Sequence, residues 1–215
     1  MVTIQELFSL DGNIALVTGA RNLGYYAAET LCELGATVVV TTRDIKRSEK
    51  IATDLQERKK VKVLGVELEV TNEENWKKIM SKIISEFGKI DILINNAGGR
   101  NPEIINEIYS DDITKSFLEG RPLESWRSTI DINLTSVFLG CKSVIPYMKR
   151  EKYGKIVNIA SIDGVVGRDL ELYRGTGLSP TVPDYLASKG GIISLTKGIA
   201  VAFAKYGINV NSISP

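Results

Sequence analysis

Short runs of β-branched and aliphatic residues alternate along this chain with stretches of helical periodicity, and that alternation constrains its fold most tightly. Six runs read as strands: 14–17, 37–41, 61–67, 92–95, 155–159 and 208–213. Between them, apolar residues recur at helical spacing over 24–34, 45–58, 73–87, 123–149 and 184–205, which reads as five helices. Strand–helix–strand units cross over with one hand, so they stack into a parallel sheet. The strands are apolar almost throughout, as expected where helices cover both faces. The expected fold class is α/β, a doubly wound parallel sheet with ligands bound beyond the carboxyl ends of its strands. A length of 215 residues suits one such domain, and no internal repeat or low-complexity tract divides it.

Charge and composition narrow the function classes. Lys and Arg number 27 against 26 Asp and Glu, a formal charge of +1 with no block of like sign. That balance gives no electrostatic footprint for nucleic acid or a membrane surface. The basic run Arg58-Lys59-Lys60 reads as a solvated helix end. Cys32 and Cys141 fall in apolar helical patterns, which suits buried packing better than a disulfide. The chain has no His, so the commonest metal ligand and the usual neutral-pH base are missing, and no metal site is expected. The amino terminus lacks an apolar signal core and no apolar run approaches membrane-spanning length, so a cytoplasmic enzyme is the expectation.

The residues with chemistry are few. Tyr185 and Lys189 are four apart on a helix and share one face, and none of the other seven tyrosines has Lys at that offset. An ammonium near a phenol favours the phenolate and readies it to pass a proton. Such a pair also decorates many solvated helices, so its company matters. Thr18-Gly19-Ala20-Arg21-Asn22-Leu23-Gly24 follows a strand and opens a helix, the context in which backbone N–H groups and a helix dipole hold a pyrophosphate. There Gly19 permits a tight turn, Gly24 lets the helix start approach the phosphates, and Asn22 tolerates left-handed backbone. Asn95-Asn96-Ala97-Gly98 ends the fourth strand, and Ser161 ends the fifth.

In this order, and with Asn133 in Asp131-Ile132-Asn133-Leu134, these motifs resemble the short-chain dehydrogenase/reductase family from about Leu7 to the last residue. The opening Leu7-Phe8-Ser9-Leu10-x-Gly12 and the long stretch from Ser161 to Tyr185 are most similar to its gluconate 5-dehydrogenase-type, sugar-acid branch. The resemblance implies a Rossmann domain that binds NADP or NAD and interconverts a secondary alcohol and a ketone on a small-molecule substrate. It makes Tyr185 the acid/base and Ser161 a donor to the substrate oxygen. Lys189 would serve both Tyr185 and the nicotinamide ribose, and Asn133 would hold a water. Cofactor contacts are implied for the turn residues Gly19, Arg21, Asn22, Leu23 and Gly24. They are implied also for Asn95, Ala97 and Gly98, for Tyr185 and Lys189, and for Pro215 at the chain end. Glu69 and Val70 fall where relatives meet the adenine.

The end of the second strand bears on the choice of cofactor. An acid there binds a ribose 2′-hydroxyl, whereas guanidinium groups suit a 2′-phosphate. Thr42 occupies that place, Arg43 follows, and Arg21 reaches from the turn, which favours NADP with NAD as the alternative. Asp44 next to them fits a helix N-cap.

Two segments exceed ordinary loop length. Residues 99–121 are long and polar, and residues 162–183 carry four Gly and two Pro before the Tyr185 helix. Loops of this size in compact α/β domains are usually functional lids or disordered. Arg100, Arg168 and Arg174 are candidates for binding a substrate carboxylate, and Tyr173 is assigned to the lid. By resemblance the chain ends before a cap and a seventh strand. Family members pair through the two long helices, so a homo-oligomer is expected: a dimer for this chain, and a tetramer with those elements restored. The remaining alternatives are a 3-oxoacyl thioester reductase and a non-catalytic nucleotide-binding protein.

Overall fold

A computed structural model describes residues 3–99, 115–173, 175–176 and 181–215. Six strands, β1 (Ile14–Thr18), β2 (Thr37–Thr42), β3 (Val63–Glu67), β4 (Ile92–Asn95), β5 (Gly154–Ile159) and β6 (Ile208–Ile213), form one sheet. Its order is β3-β2-β1-β4-β5-β6, and every pairing is parallel. Strand order reverses at β1, which lies between β2 and β4 with Val17 opposite Val40 on one side and Ile94 on the other. The carboxyl ends of β1 and β4 therefore diverge into a crevice, because their following segments leave toward opposite faces.

The helices follow the chain as α1 (Ile4–Leu7), α2 (Leu23–Glu33), α3 (Ile45–Lys59), α4 (Glu73–Phe87), α5 (Leu123–Ile130), α6 (Ser136–Glu151) and α7 (Pro183–Phe203). The two-residue period of a strand divides the core between two faces. Ala15, Val17, Val38 and Val40 pack with Ala28 of α2 and Leu55 of α3. Leu16, Val39 and Leu93 face Trp76 and Ile83 of α4, Met148 of α6 and Ile192 of α7. Burying each Leu or Ile contributes about 1.5–3 kcal/mol, and both layers are needed to cover strands this apolar.

Local signals set the helix ends. The Asp44 carboxylate accepts from the Lys46 and Arg47 N–H groups at 3.0 and 3.4 Å and caps α3, as its position suggested. Asn72 caps α4 through the Asn75 N–H at 3.0 Å, and Gly88 ends it at φ 78°. The chain leaves α3 through Lys60 at φ 59°, so Val61 packs back on that face and strand pairing starts at Val63.

Three expectations change. The helix expected over 123–149 is two helices joined by a π-helical turn, Asp131–Thr135. The Asn133 amide donates to Thr129 O at 3.0 Å and the Ser136 hydroxyl to Ile132 O at 2.6 Å, so side chains compete for the carbonyls that would continue the helix. The long segments are partly helical, with a π turn at Lys115–Glu119 and 3₁₀ turns at Ile162–Gly164 and Leu170–Tyr173. Finally, one helix does reach membrane-spanning length and apolarity: Pro183–Tyr206, with mean hydropathy 1.2 over its most apolar 18 residues. Its inner side packs on the sheet core through Ile192, while Val201 is 82% exposed.

Candidate active site

A cleft of about 670 Å³ opens at the strand-order reversal, within the about 300–1,000 Å³ usual for ligand sites. Gly19, Arg21, Asn22 and Leu23 form its wall after β1. Gly19 adopts φ +62°, and a Cβ there would stand 2.7 Å from Ala97 Cα, so only glycine fits between the two strand ends. Asn22 has positive φ as expected, yet its ψ of −116° lies outside the left-handed helical region, in backbone that suits glycine. Gly24, in the first turn of α2, is not part of the cleft lining. It is buried behind the turn, where a Cβ would lie 2.4 Å from the Asn96 amide nitrogen. Its missing side chain admits Asn96, which donates to Gly19 O at 2.7 Å and Thr18 O at 3.2 Å.

Asn95 is likewise outside the cleft lining. It is 2% exposed beneath the crevice and donates to Asn158 Oδ1 at 2.9 Å, and Asn158 donates to Thr196 on α7 at 2.9 Å. This buried polar chain ties β4 to β5 and α7. Asn96, Ala97 and Gly98 line the cleft in its stead. The alternation of a strand would have signalled it, since Asn95 and its neighbour must face opposite ways.

At the other end Thr42, Arg43, Glu69 and Val70 line the cleft, together with Arg47, which the sequence reading passed over. Its signal was its place in the first turn of α3, three residues from the cap. The Thr42 hydroxyl donates to Asp44 O at 2.7 Å and shares a hydrogen bond with Ser48 at 3.0 Å. It closes the β2–α3 turn. The Asp44 carboxylate is engaged in capping, and Glu69 accepts from Thr71 at 2.9 Å. Arg21, Arg43 and Arg47 thus gather on a cleft whose acids already have partners.

Beyond Gly98 and Gly99 stand the residues expected to handle protons. Lys189 is 5% exposed, donates to Ile159 O at 2.7 Å, and lies 5.6 Å from the Tyr185 ring centroid. A Cβ on Gly98 would come within 3.7 Å of its Nζ, so the ammonium borders the cleft floor. Burial pushes Lys189 down to about 8. Asn133 is fully buried, accepts from Gly99 N–H at 2.8 Å and donates to Gly99 O at 3.0 Å. Its side chain therefore clamps the floor of the cleft.

Ser161 is 8% exposed and accepts from Asp163 N–H at 3.2 Å, holding the 3₁₀ turn that follows β5. That turn presses on α7: a Cβ on Gly164 would be 2.6 Å from the Lys189 carbonyl carbon. Pro215 is exposed outside the cleft lining, and its carbonyl accepts from Ile162 N–H at 3.0 Å. Two charged pairs escaped the sequence. Arg121 and Asp184 are 2.6 Å apart with side chains 8% and 0% exposed, joining the segment before α5 to the residue preceding Tyr185. Asp163 holds Arg168 and accepts from Thr181 at 3.0 Å. Arg121 and Asp184 are 63 positions apart and Asp163 and Thr181 are 18 apart, separations that leave no periodic trace. Arg100 and Arg174 lie outside the described residues. Both cysteines are buried and free, with burial pushing Cys32 up to about 11 and Cys141 to about 12.

A sequence model of the short chain dehydrogenase family matches residues 13–215. The chain belongs to that family. Among its relatives, a 3-oxoacyl-acyl-carrier-protein reductase of Vibrio cholerae is 34% identical over 208 residues, 96% of this chain and 74% of the relative. A 2-dehydro-3-deoxy-D-gluconate 5-dehydrogenase of Formosa agariphila is 35% identical over 213 residues, 98% of this chain and 71% of the relative. The crystal structure of an NAD+-bound xylitol dehydrogenase superposes with a TM-score of 0.80 at 33% identity, covering 95% of this chain and 70% of that one. As a short-chain dehydrogenase the protein is an oxidoreductase of the NAD(P)-dependent type.

Proposed function

We propose that this short-chain dehydrogenase uses NADP to interconvert a secondary alcohol and a ketone on a sugar acid or polyol, with Tyr185 as acid/base. The observation that carries the reading is the buried Lys189 ammonium between the Tyr185 ring, the Ile159 carbonyl and Gly98 at the cleft floor. The residues present fit a dinucleotide. The floor has no side chain at Gly19 and Gly98, and three arginines face the end where a 2′-phosphate would lie. When bound, the cofactor supplies or accepts the hydride. Arg21, Arg43 and Arg47 attract the phosphate charge. Lys189 fixes the ribose and Tyr185, and Tyr185 exchanges a proton with the substrate oxygen. Ser161 donates to that oxygen, and Asn133 keeps Gly99 and the cleft floor in place. Pairing through α6 and α7 into a homo-oligomer in the cytoplasm completes the reading.

A second reading, a 3-oxoacyl thioester reductase, draws on the exposed apolar side chains of the segment after Ser161. Val165, Val166 and Leu172 are 65%, 49% and 73% exposed. NADPH consumption with keto-sugars, keto-sugar acids and acetoacetyl thioesters separates the two. Tyr185→Phe tests the mechanism common to both, because it deletes only the transferable proton. Turnover should fall at least a hundredfold with NADPH affinity within about threefold. Near-wild-type turnover at saturating cofactor would sink the assignment of Tyr185.

A further inference from the structure

Asp163 is a buried carboxylate two residues beyond Ser161, and its backbone N–H donates to the Ser161 hydroxyl at 3.2 Å. Both of its oxygens are engaged. Oδ1 accepts from Arg168 Nε, and Oδ2 accepts from the Thr181 hydroxyl at 3.0 Å. The side chain of Arg168 is 44% exposed and that of Asp163 only 8%. The cation of the lid segment is thus turned inward on the acid beside the catalytic serine, and that acid holds Arg168 above its ordinary value. The turn cannot slide away to release it, since Gly164 is in tight contact with the backbone of Lys189 and Gly190.

Asp163 already balances the charge of Arg168 through Nε, so a substrate carboxylate gains the full attraction of the guanidinium only by displacing it. The resident carboxylate is already desolvated and held by the chain, whereas an incoming one must still lose water and freedom. Displacement would leave Asp163 buried without its cation, and binding at the outer edge of the guanidinium instead would still bring a second carboxylate beside Asp163. An uncharged hydroxymethyl group meets neither obstacle, and it can hydrogen-bond to the outer edge of the guanidinium.

We propose that Asp163 sets the charge selectivity of the substrate site: by occupying Arg168 it makes the enzyme favour an uncharged polyol or ketose over the matching sugar acid. This deepens the reading of the site as a keto-sugar reductase and rests on it. Asp163 is here a specificity-determining residue. Asn at this position keeps an oxygen to accept from Arg168 and an amide that donates to the Thr181 hydroxyl, while releasing the charge.

L-sorbose and 5-keto-D-gluconate differ only in carrying a hydroxymethyl or a carboxylate at one terminus, so they make a matched pair. With NADPH, the full chain should show kcat/KM at least tenfold higher for L-sorbose. Asp163→Asn should lower that ratio at least tenfold, mainly through KM for the acid, and adding Arg168→Gln should restore it. Wild-type preference for the acid, or a ratio within threefold of wild type in Asp163→Asn, overturns the inference. If neither ketose is reduced, the keto-sugar reading itself fails, and charge selectivity is then judged by calorimetry with D-sorbitol and D-gluconate in the presence of NADPH. A tenfold shift toward gluconate in Asp163→Asn supports the inference, whereas an unchanged ratio, or no binding of either, overturns it.

Discussion

Lys189 combines two demands that oppose each other. Its ammonium is wanted at the cleft floor, yet burial at 5% exposure disfavours the charged form and lowers it to about 8 from 10.5. Between those two values the unfolded chain binds more protons than the folded one, so stability rises with pH across that window. Below pH 8 the full cost, about 3 kcal/mol, is in place, because lysine is charged in both states. Lys189→Met removes this cost together with the hydrogen bond to Ile159 O. The stability of the methionine variant relative to wild type, from urea unfolding without cofactor, should therefore decline by up to about 3 kcal/mol between pH 7 and pH 10. A pH-independent difference would show that the ammonium is not desolvated. Asn22 presents a comparable conflict on the backbone, since its φ of 47° and ψ of −116° cost on the order of 1–3 kcal/mol in a residue with a Cβ.

At the scale of elements, the β2–α3 turn and the π turn decide how the cleft is used. In the first, Thr42, Asp44 and Ser48 bond to one another and leave arginines as the groups free to face a ligand. Arg47→Ala and Arg43→Ala should each raise the dissociation constant for NADP about tenfold, equivalent to about 1.4 kcal/mol, and that for NAD less than threefold. Fluorescence titration with both cofactors checks this, and equal losses would remove the 2′-phosphate from this end. Thr42→Asp, the obvious route to NAD, carries a structural cost because it deletes the hydroxyl that closes the turn. In the π turn, Asn133 spends its amide on Thr129 and Gly99, so the helix widens where it reaches the cleft floor. Helical periodicity in the sequence ran straight through that point, because a single inserted residue per turn barely disturbs the spacing of Ile130, Leu134 and Val137.

For the whole molecule, the outer surface of α7 is the unfinished part. Val201 is 82% exposed, and on neighbouring α6 Phe138 is 47% exposed, in helices that otherwise cover the sheet. In the proposed pairing a second copy of the chain covers this surface in an isologous contact, and stable dimers bury about 1,600 Å² or more. Light scattering should therefore give a dimer at micromolar concentration, and Val201→Glu with Phe138→Glu should give a monomer. A monomeric wild type would refute the pairing. The same surface accounts for a helix apolar enough to span a membrane in a sheet-packed fold, since Ile192 and Thr196 are buried on its inner side.

The sequence by itself determined the number and direction of the strands: six apolar runs alternating with helices leave a parallel, doubly covered sheet as the economical solution. It also determined the local chemistry, because the Gly19 turn, the Asp44 cap and the Tyr185–Lys189 offset each depend on residues within one turn of one another. The tertiary structure decided everything that joins remote segments. Asn95 turned inward to Asn158, Gly24 made room for Asn96, and Arg121 met Asp184. Short-range geometry is repeated along a chain and can be read as period and spacing. A contact between residues tens of positions apart exists only once the sheet has closed, and its energy comes from desolvation that no isolated segment experiences.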